Sequence, residues 1–153
     1  MVLFIHIFIG AVIAAKITYL PLALILALLS HYILDLIPHT EYPIKHIKEM
    51  GLKGVRSDIL SIMLDLLLGL ILILTVHFLV NVDYIRVFFV SFFALLPDCF
   101  TFMKYIFPKN RLLKGNFWLL HYKSHFLNRK KIPFWGKIIF QILVLLVGFA
   151  VLC

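Results

Sequence analysis

Charge and cysteine are what this sequence has least of. Only 14% of its 153 residues are Asp, Glu, Lys or Arg, and only two are cysteine. A soluble domain carries about a quarter charged residues and roughly half apolar ones, whereas here the apolar share is 63%. An ordinary soluble domain is thereby excluded. Cys99 and Cys153 are expected at different membrane faces, so they cannot pair and give no disulfide framework. Acidic groups are the scarcest charges, seven against 15 Lys and Arg, which leaves a net charge of +8. No repeat, low-complexity tract or linker divides the chain, and its length suits a single integral membrane domain over residues 1–153.

What is present is a series of apolar runs. A spanning helix needs about 20 mostly apolar residues, and Tyr19–Ile37, Asp58–Val80, Tyr84–Phe107 and Pro133–Leu152 meet or approach that length. The first run, Met1–Ala15, is shorter and crosses only with tilt, local thinning or a snorkelling Lys16. No Lys or Arg precedes it, which argues against a cleaved signal peptide. The fold class expected is all-α: a polytopic bundle of about five spans (about 1–16, 19–37, 58–80, 84–107 and 133–152). Pro38 should end the second helix, and Pro97 should kink the fourth and free a backbone carbonyl beside Asp98. Residues 116–128 read as a short interfacial helix carrying Trp118, His121, Tyr122 and His125 on one face.

The basic residues are unevenly spread. Lys45, Lys48, Lys53 and Arg56 fall in one loop, and Lys109, Arg111, Lys114, Lys123, Arg129, Lys130 and Lys131 in another. With five spans these loops share a side with the N-terminus, while only Lys16 and Arg86 lie near the opposite turns. Such asymmetry marks the cytoplasmic side of an inner membrane, with the N-terminus inside. The loops should attract membrane lipids with anionic head groups. Nucleic acid is not expected as a partner, because no recognition motif accompanies the charge.

Ionisable residues inside the apolar runs cost about 2.5–3.5 kcal/mol each at a helix centre, yet several occur. His6 lies in the first run, His31 and Asp35 in the second, Asp58 and Asp65 in the third, Asp98 in the fourth. At 1.5 Å per residue, His6, His31 and Asp65 sit at roughly 8–11 Å from the cytoplasmic ends of their helices, and Asp98 follows Pro97 toward that end. Each belongs to a stripe: His6, Gly10 and Ala14; Ala23, Ala27, His31 and Asp35; Asp58, Ser61, Asp65 and Gly69; Ser91, Ala94 and Asp98. Small residues at this spacing allow close helix packing, so the polar ends should face one another.

His39 continues the His31/Asp35 register beyond Pro38, and His121 with His125 adds a second pair four apart. The candidate metal ligands are therefore His6, His31, Asp35, His39, Asp65, Asp98, His121 and His125. Mixed imidazole and carboxylate ligands suit a divalent metal such as zinc, with iron or manganese as alternatives. Asp65 and Asp98 are the candidate catalytic carboxylates. Bland readings hold for other positions: Asp58 as a helix N-cap, Asp83 and Arg86 as a turn pair, His46 and His77 without partners.

Ser30-His31-Tyr32-Ile33-Leu34-Asp35, running on to Pro38-His39, together with His6 before Gly10-Ala11 and the late Leu96-Pro97-Asp98, resembles motifs of small prokaryotic membrane proteins. More broadly it resembles the membrane-bound metal-dependent hydrolase family, with the motif order changed and His121-Tyr122-Lys123-Ser124-His125 as a different histidine element. The His-x3-Asp helix is also similar to those of zinc-dependent phospholipase C. The resemblance implies a metal-dependent hydrolase, and the position of the polar groups adds a site at the cytoplasmic face. Lys45, Lys48, Lys123 and Arg129 would hold an anionic head group, making a phospholipid or other phosphoester the expected substrate. Two other classes are open: a metal or proton transporter, and a non-catalytic membrane subunit with a structural metal or polar cluster.

Overall fold

The computed structural model describes residues 2–40, 45–50, 55–107, 123–124 and 132–153. Among these there are six helices and no strand: α1 (Leu3–Lys16), α2 (Leu20–Leu36), α3 (Lys45–Met50), α4 (Val55–Val80), α5 (Tyr84–Ile106) and α6 (Phe134–Leu152). The local signals explain most boundaries. Pro21 sits in the first turn of α2, where its missing N–H is not needed. The helix stops at Leu36, just before Pro38. Asp83 caps α5 by accepting the N–H of Arg86 at 2.9 Å.

Three helices are long and apolar enough to cross a membrane: Asp58–Val80 within α4, Tyr84–Ile106 and Phe134–Leu152. The apolar helices α1 and α2 are shorter, with 14 and 17 residues. The shortest of the apolar helices is the central one. α1 packs against α2, α4, α5 and α6, and Ile5, Phe8 and Ala11 on it are wholly buried. A helix that is apolar all round belongs inside a bundle. Surrounded by protein, α1 need not match the bilayer thickness over its own length. The outer faces of α2, α4 and α6 are apolar and exposed, including Ile25, Leu67, Phe78 and Leu146.

Close packing on α1 depends on glycine. A Cβ at Gly10 would stand 2.6 Å from the Cα of Ser91 and 3.2 Å from Cβ of Ala94, so α1 and α5 meet nearly backbone to backbone. Ala23 and Ala27 on α2 are likewise fully buried, as the small-residue stripes require. One stripe is corrected: Ser61 is exposed, and the inward face of α4 carries Asp58, Asp65 and Gly69 without it.

Polar ties close one end of the bundle. Arg86 donates through Nε to the Ala14 carbonyl at 3.0 Å and through Nη2 to the Ile17 carbonyl, capping α1. Lys16 Nζ donates to the Leu152 carbonyl at 3.1 Å at the end of α6. The expected Asp83–Arg86 turn pair therefore takes another form. Asp83 holds the backbone of Arg86, while the guanidinium serves α1.

Candidate metal centre

At the other end, α1, α2 and α5 bring His6, His31, Asp35 and Asp98 together. His31 and Asp35 are one turn apart on α2, so both point from the same helix face. His31 Nε2 lies 3.1 Å from Asp35 Oδ2 and 3.9 Å from Asp98 Oδ1, and His6 Nε2 lies 3.3 Å from Asp35 Oδ1. The two imidazole rings stack with centroids 4.1 Å apart and planes inclined by 23°. Tyr32 meets the His31 ring edge-on at 5.6 Å. The side chains of His6, His31 and Asp35 are fully buried, while that of Asp98 is 22% exposed and forms the open side.

The protonation of His31 follows from its contact with α5. Nδ1 lies 2.7 Å from the carbonyl oxygen of Ala94. A carbonyl only accepts, so Nδ1 carries the proton and donates it. This contact sits just before Pro97, which has no N–H to give the helix ladder and loosens it locally. In a neutral ring, Nε2 then presents a lone pair toward the oxygens of Asp35 and Asp98. That arrangement favours a proton or a metal ion between the nitrogen and the carboxylates.

A single proton shared between one ring and Asp35, or one metal ion, answers this need. Two imidazolium rings stacked at 4.1 Å repel each other. One divalent ion with two neutral histidines and two carboxylates has zero net charge, which suits a buried site. His31 and His6 approach different oxygens of Asp35, at 3.1 and 3.3 Å, so this carboxylate bridges the two rings, while His31 Nε2 stands 3.9 Å from Asp98 Oδ1. His6 Nδ1 is buried without a hydrogen bond among the described residues, and His6 Nε2 meets the Asp35 carboxylate at 3.3 Å. A buried polar atom in that state takes a water or an ion as its partner. His6, His31 and Asp98 each offer a ligand atom within 4.8 Å of the others. This group of imidazole and carboxylate donors could hold a divalent metal. A metal-binding histidine usually donates its other N–H to a carbonyl or carboxylate, which is what His31 does at Ala94.

The remaining expected residues have other surroundings. Asp65 accepts the N–H of Leu3 at 2.6 Å and of Phe4 at 3.0 Å, spanning from α4 to the first turn of α1. His39 is buried, and its Nδ1 donates to the Ile37 carbonyl at 2.6 Å. His121 and His125 lie outside the described residues, as does the interfacial helix expected over 116–128 except for an exposed Lys123 and a buried Ser124.

Asp58 does not cap its own helix, because α4 begins at Val55. Its carboxylate accepts from His46 Nδ1 at 2.9 Å and from the Ile47 N–H at 3.0 Å, fastening α3 to α4. His46 therefore has a partner, and so does His77, which donates to the Val82 carbonyl at 2.6 Å across the turn into α5.

One pair has no counterpart among the residues singled out by spacing. Thr40 donates its hydroxyl to Gln141 Oε1 at 2.6 Å, and Gln141 Nε2 returns a bond to the Thr40 carbonyl at 3.3 Å. A signal for it exists in the sequence: a lone glutamine in an otherwise apolar run needs a polar partner. Comparison with protein-family models, with curated proteins and with solved structures found no match for this chain.

Proposed function

We propose that the chain is a membrane-embedded metal-dependent hydrolase whose centre, built on His6, His31, Asp35 and Asp98, opens at the cytoplasmic face. The observation that carries this reading is the commitment of His31 Nδ1 to the Ala94 carbonyl, which turns Nε2 onto Asp35 and Asp98. Zinc is the first choice of ion, with iron or manganese also compatible with imidazole and carboxylate donors. His39, His121 and His125 complete the proposed ligand set. In this reading α1 and α2 count as spans beside the three longer helices. The basic loops then lie in the cytoplasm, where lipid head groups are anionic.

Held by His6, His31, Asp35 and Asp98, a divalent ion would supply Lewis acidity toward a phosphoryl oxygen and toward water. The chain's own residues supply the rest. Asp35 spans both imidazoles and fixes them relative to each other. Asp98, the partly exposed member, is the candidate general base, a role it fills where it is not itself holding the ion. Lys123 and its basic neighbours attract the anionic substrate, a phospholipid or another phosphoester.

A second reading, a non-catalytic subunit with a structural metal, draws support from the full burial of His6, His31 and Asp35. Closed sites are structural and open ones catalytic, so the exposure of Asp98 favours the enzyme. A transport path finds little support. Beyond Gly10 the buried residues of α1 are Ala11, Val12 and Ala14, and those of α2 toward that end are Ala27 and Ala23.

The deciding experiment is metal analysis of purified protein, combined with hydrolysis assays on phospholipid vesicles and soluble phosphoesters, with and without chelator. Chelator-sensitive hydrolysis is expected. Metal-loaded protein that stays inert across the panel moves the assignment to the structural subunit. Protein that binds no ion removes the centre.

A further inference from the structure

The first turn of α1 poses a problem that the sequence of α1 does not solve. The leading N–H groups of a helix have no partner within it, and inside a membrane there is no water to supply one. Val2, in the N-cap position, makes no side-chain hydrogen bond, and the first turn contains no acidic residue. Both oxygens of Asp65 answer from α4, one on Leu3 N–H at 2.6 Å and one on Phe4 N–H at 3.0 Å. Asp65 is itself only 5% exposed. A carboxylate on helix-terminal N–H groups makes charge-assisted bonds and meets the positive end of the helix dipole.

The depth of this contact is informative. The apolar span of α4 begins at Asp58, and Asp65 lies about 10 Å further along it at 1.5 Å per residue. The 14 residues of α1 add roughly 21 Å at the same rise. Together they make about 30 Å, the hydrocarbon thickness. Through Asp65, α1 therefore starts below the cytoplasmic surface, and its first turn carries His6 at the level of His31, Asp35 and Asp98. Without that acceptor the first turn has unsatisfied donors in an apolar setting and frays, and His6 is part of that turn.

We propose that Asp65 is a positioning residue, a cap supplied in trans that holds α1 at the depth and rotation at which His6 meets Asp35 and His31. The role rests on the metal-centre reading only where ion affinity is concerned. The hold on α1 and on the His6 ring is independent of it. It also separates Asp65 from the ligand set, since both its oxygens already face backbone N–H groups.

The test is a rescue in cis. In Asp65→Ala protein, amide exchange of Leu3–His6 should speed up, the ¹⁵N signals of the His6 ring should move, and zinc affinity should fall about 10–100-fold, the usual effect of losing a supporting contact. Adding Val2→Ser gives α1 its own N-cap hydroxyl, which does not replace a carboxylate ligand. Val2→Ser/Asp65→Ala should recover slow exchange, the His6 signals and most of the affinity. Recovery of exchange and His6 signals with affinity still lost would make Asp65 a ligand and overturn the proposal. So would unchanged exchange in Asp65→Ala. If wild-type protein takes up no zinc, the metal-centre reading falls. The positioning role is then decided by amide exchange and the His6 signals: both altered in Asp65→Ala and restored by Val2→Ser if it holds, either one unmoved if it does not.

Discussion

His31 reaches across from α2 to the carbonyl oxygen of Ala94 on α5, 2.7 Å away, one turn before Asp98 on the same helix. One bond thus fixes the ring's tautomer and aims its other nitrogen at two carboxylates. An imidazole held this way loses little entropy on binding an ion, and its orientation does not depend on the ion being there.

Ligand substitutions should therefore act on ion binding far more than on insertion. His31→Ala and Asp35→Ala are each expected to lower zinc affinity by more than about 100-fold, the upper range for supporting contacts alone. The proposed hydrolysis should vanish with the ion. Both variants should still reach the membrane, because each removes a group that insertion disfavours. Lys123→Ala, at an exposed position, should change little beyond the salt dependence of substrate binding. Isothermal titration with zinc and a membrane-fraction immunoblot check the two halves of this expectation.

The glycines around α1 should rank by what a methyl group meets. At Gly10 it meets the Cα of Ser91 at 2.6 Å, and a backbone cannot step aside. At Gly69 it meets the tip of the Ile7 side chain, which can change rotamer. Gly10→Ala should cost about 1–3 kcal/mol of stability, the range for overpacking, and Gly69→Ala less. Thermal unfolding in detergent gives the order, and equal losses would contradict the packing described.

The four-residue spacing of His31 and Asp35, and of the small residues in line with them, is a helical period that survives any error in the helix ends. For that reason the His31/Asp35 face is legible in the amino-acid sequence, and Asp98 after Pro97 carries the same information. Contacts with backbone atoms are not legible there. Asp65 serves the amides of Leu3 and Phe4, and no side-chain pattern marks an amide as unsatisfied until the helix start is known. Asp58 misleads for a related reason: the polar residue before an apolar run signals an N-cap, but α4 begins within the polar stretch at Val55. The central place of α1 is hidden as well. Length alone suggests a poor span, whereas its even apolarity also fits a buried helix.

Arg86 is expected to matter through α1. Its guanidinium serves the carbonyls of Ala14 and Ile17 together, a task for a planar fork with several donors. Arg86→Ala should cost about 1–3 kcal/mol for buried acceptors left unpaired, and Arg86→Lys should recover less than half of it. Asp83→Ala removes only the cap on α5 and should cost about 1 kcal/mol. Unfolding of the three variants under one condition separates these roles.

Gln141 offers the last test, because it separates insertion from assembly. It is 8% exposed on α6, and its amide exchanges two hydrogen bonds with Thr40, the residue after the buried His39. Gln141→Leu makes α6 more apolar, so insertion of that helix should improve or stay the same. It also leaves the Thr40 hydroxyl and carbonyl without their partner on α6. Buried donors and acceptors that lose partners cost about 1–3 kcal/mol, so the stretch from Ile37 to Thr40 should loosen from α6. His39 then becomes accessible. Diethyl pyrocarbonate should modify His39 at least several-fold faster in Gln141→Leu than in wild type, with peptide mass spectrometry identifying the site. Gln141→Glu, which keeps an acceptor for the Thr40 hydroxyl, should fall between the two. His39 modified equally in all three proteins would mean that the Thr40–Gln141 pair does not hold this stretch in place.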